Sequence, residues 1–410
     1  MKDLLQRIVL LTTALFSFSA TVNAQCEQGR FIDDLFDVKS NLNIKYGGNY
    51  KFDGTYQELF MNIYEPDGDT FSRRPLIMLA FGGSFTFGSR TSPDILKLCN
   101  AFAKKGYITA TIDYRLGFEN GNDSDTNQFK ALMRAAQDMR AAIRFCYKDA
   151  STNNFYRIDT TQIFIGGVSA GGFTALNLAY GKTDTLSRVR PPYVDDALVQ
   201  VGGIIGNSGN PGYSEKVRGV INLCGAIGDT VWLMPNDPIL CGVHGTNDQL
   251  VPCYYDSAKA ATSVEAQMFG SGDLNNRAQH INLPHSFYFF KGASHVPFVF
   301  NQAYMDTTIW TIRDFLAQFV VCGGWSGVQE PMLNQMFVSP NPFYQSFVVR
   351  FSDNASYGFS ISDMLGKIIL QGKLNANELI ELPSNDNNLF FLSVEDDKGN
   401  RKIFKLFRAH

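Results

Sequence analysis

Ser169 sits in the stretch IFIGGVSAGG, residues 163–172, flanked at two positions' distance by Gly167 and Gly171. An apolar, β-prone run leads into it, and AGGFTALNLAY, which reads as a helix, leaves it. Strand, Gly-x-Ser-x-Gly, helix is the sequence form of a sharp elbow that lifts a serine hydroxyl clear of its own backbone. The chemistry would be nucleophilic, and a hydroxyl then needs a base to take its proton and an acid to orient that base. The chain has five histidines. His410 is the final residue, and His280 and His285 precede an apolar strand. His244 lies in GVHGTND, where a structural hydrogen-bonding role is expected. His295, in GASHVP, directly follows the strand FYFFKG and is the candidate base. Asp248, in GTNDQLVP, is the candidate acid, and Asp229, in GAIGDT one strand earlier, is its rival. The N–H groups of Gly83 and Ser84, in AFGGSFTFGS, and of Ala170 are the candidate donors to a developing oxyanion.

These groups need a scaffold that brings strand ends together. QELFMNIYEP alternates and stops at Pro66, as an early antiparallel strand would. PLIMLAFGG, YITATIDY, IFIGGVS, VRGVINLCGAI, PILCGVHG and HSFYFFKGASH then read as strands. Between them fall helical stretches at about Pro93–Lys104, Asn127–Tyr147 and Ser257–Met268, and YMDTTIWTIRDFLAQFVV closes the series. Alternation of this kind implies an α/β fold, a mostly parallel sheet with helices on both faces, whose chemistry lies at the carboxyl ends of the strands. The character changes at CGGWSGVQEPMLNQ, a linker rich in turn residues. Beyond it SFVVRF, YGFSISD, KIILQGKL, LIELP, LFFLSVED and RKIFKLF are short strand-like runs, which predict a small all-β sandwich. The segment Thr183–Lys216 is the expected cap over the site, with Tyr193 and Tyr213 as candidate pocket residues.

Of the 410 residues, 45% are apolar and 18% charged, and the formal charge is −3. That composition suits a globular chain with a real core and argues against a nucleic-acid partner, since no basic excess exists to neutralise phosphates. Residues 1–24 read as a secretory signal peptide: Lys2 and Arg7, an apolar run from Ile8 to Phe18, then small residues up to Ala24. The run is too short and too broken by Thr12, Thr13 and Ser17 for a transmembrane segment. All seven cysteines (Cys26, Cys99, Cys146, Cys224, Cys241, Cys253 and Cys322) lie beyond the signal. None forms a Cys-x-x-Cys pair, which argues against a zinc site. Export permits disulfides, but the odd count leaves at least one thiol over, and Cys224 and Cys241 read as small buried hydrophobes. The expected division is residues 25–322 for the α/β domain, 323–336 for the linker and 337–410 for the sandwich.

The motifs GGVSAGG, GTNDQLVP, GASHVP, IDYRLG and AFGGSFTFGS together resemble the α/β-hydrolases of the carboxylesterase and feruloyl-esterase-like group, over Tyr56 to Val321. The resemblance implies a serine ester hydrolase with Ser169, Asp248 and His295 as catalytic residues, an oxyanion hole of Gly83, Ser84 and Ala170, and neither metal nor organic cofactor. Many relatives open the oxyanion loop with His-Gly-Gly; here Phe81 stands in that place, so packing must hold the loop. The tail, through VSPNPF, ISDMLGKII and the basic strand RKIFKLF, is similar to the C-terminal sorting domains of the type IX secretion system. It implies that machinery as a partner and a secreted or cell-surface location reached through the periplasm. A carbohydrate-binding module is the rival, but the tail has no Trp after Trp325 to stack on sugar. The expected substrates are short-acyl or hydroxycinnamoyl esters, including those carried by polysaccharide. The alternatives are a serine peptidase of the prolyl-oligopeptidase type, for whose usual propeller the chain has no room, and a non-catalytic surface-displayed homologue.

Overall fold

The computed structural model describes residues 29–118, 125–182, 193–258 and 266–320, and, nearer the C-terminus, 336–339, 341, 343–350, 356–375, 378–383, 388–397 and 401–408. The residues read as a signal peptide, and the expected linker apart from the buried Met336, lie outside the described residues. Eight strands form the main sheet: β1 (Val38–Tyr50), β2 (Tyr56–Pro66), β3 (Arg74–Ala80), β4 (Ile108–Ile112), β5 (Ile158–Val168), β6 (Gly219–Leu223), β7 (Ile239–Gly245) and β10 (His285–Phe290). Their order is β1-β2-β4-β3-β5-β6-β7-β10. β1 and β2 pair antiparallel, as do β2 and β4; from β4 to β10 every pairing is parallel. This is the α/β-hydrolase fold. Every residue of β3, β4 and β6 is buried, so these strands show no alternation; both their faces are covered. Each Ile, Leu or Val so buried contributes about 1.5–3 kcal/mol relative to exposure.

The covering helices are α1 (Pro93–Ala103), α2 (Asp125–Ser151), α3 (Ala170–Tyr180), α4 (Tyr193–Gln200), α5 (Ser271–His280) and α6 (Gln302–Leu316). Among the described residues no helix is long and apolar enough to cross a membrane. α1 begins on Pro93, whose fixed φ and missing N–H suit a first helical turn. The chain runs from β3 outward to β4, then returns past β3 to lay down β5 on its other side. The crevice at the carboxyl ends of β3 and β5 is therefore the switch point where such sheets place ligands.

Two features differ from what local pattern predicts. The described ends of the expected helix Ser257–Met268 are strand: β8 (Asp256–Ala258) and β9 (Ala266–Met268) pair antiparallel, residues 259–265 lie outside the described residues, and a helix follows as α5. Phe269 and Ile227 exchange both backbone hydrogen bonds, at 2.8 and 3.0 Å, and this long-range bridge holds residues 266–269 extended against their helical propensity. The charges on α2 are not a solvated face either. Asp138 is fully buried and accepts from the Arg115 backbone N–H at 2.8 Å, from Arg115 Nε at 2.9 Å and from Ser208 Oγ at 2.6 Å. Arg140 and Arg144 both hold Glu215. The chain after α4 thus returns over α2 and covers its polar side.

Near the C-terminus a three-stranded antiparallel sheet holds β11 (Phe337–Ser339), β12 (Ser346–Arg350) and β15 (Leu379–Glu381). A four-stranded one holds β13 (Tyr357–Ser362), β14 (Ile368–Leu374), β16 (Leu389–Glu395) and β17 (Arg401–Phe407). Both contribute to one core that includes Val338, Phe347, Ile361, Phe390 and Leu406. β16 buries every second residue, Phe390, Leu392 and Val394, as a strand with one face on a core does.

The linker's composition predicts little contact across it, yet hydrogen bonds do cross. Ser286, on the edge strand β10, donates to the Asn341 carbonyl at 2.6 Å in a buried setting. The Asn341 side chain accepts from Phe407 N and donates to the Lys405 carbonyl, so the contact is tied into the second sheet. Val338 N donates to Gln318 Oε1 at 3.1 Å. Ser286→Ala leaves the buried Asn341 carbonyl without this donor and should lower stability by about 1–3 kcal/mol. Urea unfolding of the full chain checks this; an unchanged midpoint would mean the contact contributes nothing.

Candidate active site

The elbow is built by close approach. Ser169 has φ 53° and ψ −117°, a backbone conformation costly for any residue with a Cβ. Its N–H donates to the Leu223 carbonyl at 2.8 Å, and its carbonyl accepts from Phe173 N at 3.0 Å as α3 begins. A Cβ on Gly167 would stand 2.5 Å from the Ala80 carbonyl oxygen, and one on Gly171 would overlap the same atom. The two glycines are there so that the turn can press against the end of β3.

The structure brings His295 to Ser169 from the loop after β10. His295 Nε2 lies 2.9 Å from Ser169 Oγ, and Nδ1 lies 2.6 Å from Asp248 Oδ2. An ionised carboxylate only accepts, so Nδ1 carries a proton, and in the neutral ring Nε2 is left to accept the serine proton. Asp248, just past β7, has a fully buried side chain. Burial by itself pushes its pKa up. Hydrogen bonds from His244 and His295 outweigh this, helped by the His295 charge and the Val251 N–H, and hold the carboxyl well below its usual range. Asp229 does not reach His295; its Oδ1 caps a 3-10 turn by accepting from Val231 N at 2.9 Å. Of the two candidate acids, the structure places Asp248 and not Asp229 against His295. His280 and His285 are not brought to the site, and His410 lies outside the described residues.

Gly82, Gly83, Ser84 and Ala170 line one cavity with Ser169 and His295. Gly83 has φ 125° and Ser84 φ 49°, so the loop after β3 turns sharply beside the elbow. Ala170 opens α3, where the first N–H groups have no partner within the helix and attract negative charge. In the loop after β3, the Phe81 ring stacks on Tyr114 with centroids 4.3 Å apart. Tyr114 also donates its hydroxyl to the Phe81 carbonyl at 2.9 Å. Burial pushes that phenol's pKa well up and keeps the donor proton in place. Packing holds the loop, as the sequence requires, and Tyr114 supplies a hydrogen bond besides; its place in IDYRLG was visible, its target was not.

The cavity holds about 1020 Å³. Phe85, Phe118, Phe129, Phe173, Trp232 and Phe269 are among its walls, and the exposed Phe87, Tyr255 and Phe300 also line it. Asp94 and Asp229 are its charged lining residues besides the site itself, and no Lys or Arg lines it among the described residues. From the expected cap, Val194 on α4 reaches the cavity and Tyr213 does not; the Tyr193 side chain lies outside the described residues. Cys224, Asp248 and His295 have potential metal-binding atoms within 4.8 Å of one another. They make a poor metal site, because burial raises the Cys224 thiol's pKa far from the thiolate range and both His295 nitrogens are hydrogen-bonded. Cys99, Cys146, Cys224, Cys241 and Cys253 are free and buried, and Cys26 and Cys322 lie outside the described residues.

The model of the BD-FAE family matches residues 61–211, a span that includes the loop after β3 and the elbow. No curated protein matches the chain. Among solved structures, the propionate-bound esterase Est2 of Thermogutta terrifontis is similar at 18% identity, covering 70% of this chain and 97% of that one, with a TM-score of 0.47. The same enzyme phosphorylated by paraoxon is similar at 19% identity over 70% and 96% of the two chains, with a TM-score of 0.47. A truncated carbohydrate esterase from gut microbiota shares 18% identity over 70% and 97%, also at 0.47. A strained serine elbow, a hydrogen-bonded Ser–His–Asp series and a glycine loop beside them are the parts from which a serine hydrolase site is built.

Because the folded-state pKa of Asp248 is depressed, the stability that its ionisation contributes is present above the ordinary carboxylate pKa of about 4 and is lost as pH falls below it. The stability difference between the wild type and Asp248→Asn should therefore shrink as pH drops below about 4. Near neutral pH the same variant should cut ester turnover about 10²–10⁴-fold, while Asp229→Asn stays within about threefold. Unfolding across pH and steady-state kinetics check these; the reverse ranking of the two variants would move the acid one strand earlier.

Proposed function

We propose that this chain is an exported serine ester hydrolase that cleaves short-acyl and hydroxycinnamoyl esters, including those that decorate polysaccharide. The observation that carries the reading is the cavity beside Ser169, which is walled by aromatic rings and free of basic residues among its described lining. Its 1020 Å³ exceeds what an acetyl group needs and leaves room for a planar aromatic acyl group or a sugar ring. Exposed Phe87, Tyr255 and Phe300 offer faces for such rings to stack on.

In the proposed mechanism His295 Nε2 takes the Ser169 proton as Oγ attacks the ester carbonyl. The oxyanion that forms accepts hydrogen bonds from the N–H groups of Gly83, Ser84 and Ala170, each donor contributing on the order of 10²–10³ in rate. The alcohol leaves with the proton from His295, and water then repeats the sequence in reverse on the acyl-enzyme while Asp248 holds the imidazole tautomer. Ser169→Ala should lower turnover by about 10⁴-fold or more and leave the fold intact. A panel of p-nitrophenyl acetate, butyrate and octanoate, methyl ferulate, acetylated xylan and a proline p-nitroanilide checks the class. Hydrolysis of the esters without the anilide is expected. Cleavage of the anilide in preference would make the protein a peptidase, and a wild type inert on all six would make it a non-catalytic homologue.

Export rests on the signal-like residues 1–24, and the C-terminal β-region is proposed as a type IX sorting domain on the strength of its sequence motifs. A chain ending at Gln335 should remain in the periplasm of the native host and keep its activity on a small soluble ester, because the site lies at the carboxyl ends of the main-sheet strands. Fractionation and assay check this. Normal secretion with weaker binding to insoluble polysaccharide would make the tail a binding module instead.

A further inference from the structure

The Ser–His–Asp series does not end at Asp248. His244, on β7, is fully buried, and its Nε2 lies 3.0 Å from the Val251 carbonyl and 3.2 Å from Asp248 Oδ2. Both of those groups only accept, so Nε2 carries the proton. Nδ1 lies 2.7 Å from Ser271 Oγ, at the first residue of α5, and is left to accept the serine proton. Ser271 Oγ in turn accepts from Asn222 Nδ2 at 3.1 Å, on β6. Asn222 is itself held at Gly225, whose N–H donates to Asn222 Oδ1 at 3.0 Å. Asn222, Ser271 and His244 are all without solvent exposure. The result is a directed series, Asn222 to Ser271 to His244, whose Nε2–H is shared between the Val251 carbonyl and Asp248 Oδ2.

We infer that His244 is a positioning residue for the reaction: its Nε2–H, fixed as that tautomer by Ser271 and Val251, holds the Asp248 carboxylate in the orientation that His295 requires. The inference rests on the reading of Ser169, His295 and Asp248 as the reacting series. Asp248 Oδ1 is already occupied by the N–H groups of Leu250 and Val251, each at 2.9 Å. Oδ2 faces His295 Nδ1 on one side and His244 Nε2 on the other. Without the second imidazole the carboxylate would lose the donor that braces Oδ2 against turning about its Cβ–Cγ bond.

Glutamine and asparagine separate this role from simple filling of space. The Gln amide nitrogen reaches the place of imidazole Nε2, whereas the Asn amide nitrogen reaches only that of Nδ1. In the full-length protein His244→Gln should retain most of the turnover of p-nitrophenyl butyrate. His244→Asn should lose about 10- to 100-fold in kcat, the effect of one hydrogen bond to a charged group, with KM within about twofold. The low-field proton resonance of His295 Nδ1–H, identified by its absence in Asp248→Asn, should be kept in the Gln variant and shifted or lost in the Asn variant. That resonance requires no turnover, so it still tests the inference if the wild type proves inert on every ester. Equal kcat and an equal resonance in the two variants would overturn the inference. So would a loss of kcat in His244→Asn with the resonance unmoved, since the histidine would then matter only to stability.

Discussion

The contact between the elbow and the end of β3 is the constraint on which the rest of the site depends. Gly167 and Gly171 let the backbone of the turn approach the Ala80 carbonyl closer than any side chain would permit. That approach holds Ser169 at positive φ, starts α3 at Ala170 and sets the serine beside the glycine loop leaving β3. The strain is of order 1–3 kcal/mol. It persists because β5 is buried between β3 and β6 and cannot relax without disturbing the middle of the sheet.

A second constraint is electrostatic. Asp248 keeps its charge in a fully buried position because N–H groups converge on it from its own loop, from β7 and from the loop after β10. A carboxylate with fewer donors would be protonated or would leave the interior. The same donors fix its direction, so the feature that stabilises the charge also orients His295. Stability and chemistry are coupled here through one side chain.

The wall of the cavity and the cover of α2 come from parts of the chain far apart in sequence. Arg115 and Ser208 meet on Asp138, and Glu215 meets Arg140 and Arg144, which ties the segment after α4 back over the helix. Val194 on α4 can then stand at the cavity. On the opposite margin of the sheet, the Ser286–Asn341 hydrogen bond links the edge strand β10 to the C-terminal β-region, so this region is not a free appendage in the folded chain.

By itself the sequence determined the strand series, the elbow and the order in which serine, acid and histidine follow strand ends. These are local: a buried parallel strand is an apolar run, a helix shows its period, and a tight turn requires glycine. The tertiary structure alone decided what depends on contacts between distant segments. Asp248 rather than Asp229 meets His295 because the loops after β7 and β10 lie side by side in adjacent parallel strands. Residues 266–269 became extended because Ile227 offered Phe269 a backbone partner, which no local propensity encodes. β1 escaped detection because an edge strand of mixed polarity lacks the alternation that marks a half-buried one. His244 reads in sequence as a strand-end histidine with a structural bond. Only the packing of β6, β7 and α5 set its Nε2–H between the Val251 carbonyl and the carboxylate. The direction of a buried hydrogen bond is set by which acceptors surround it, and those acceptors are assembled only when the chain folds.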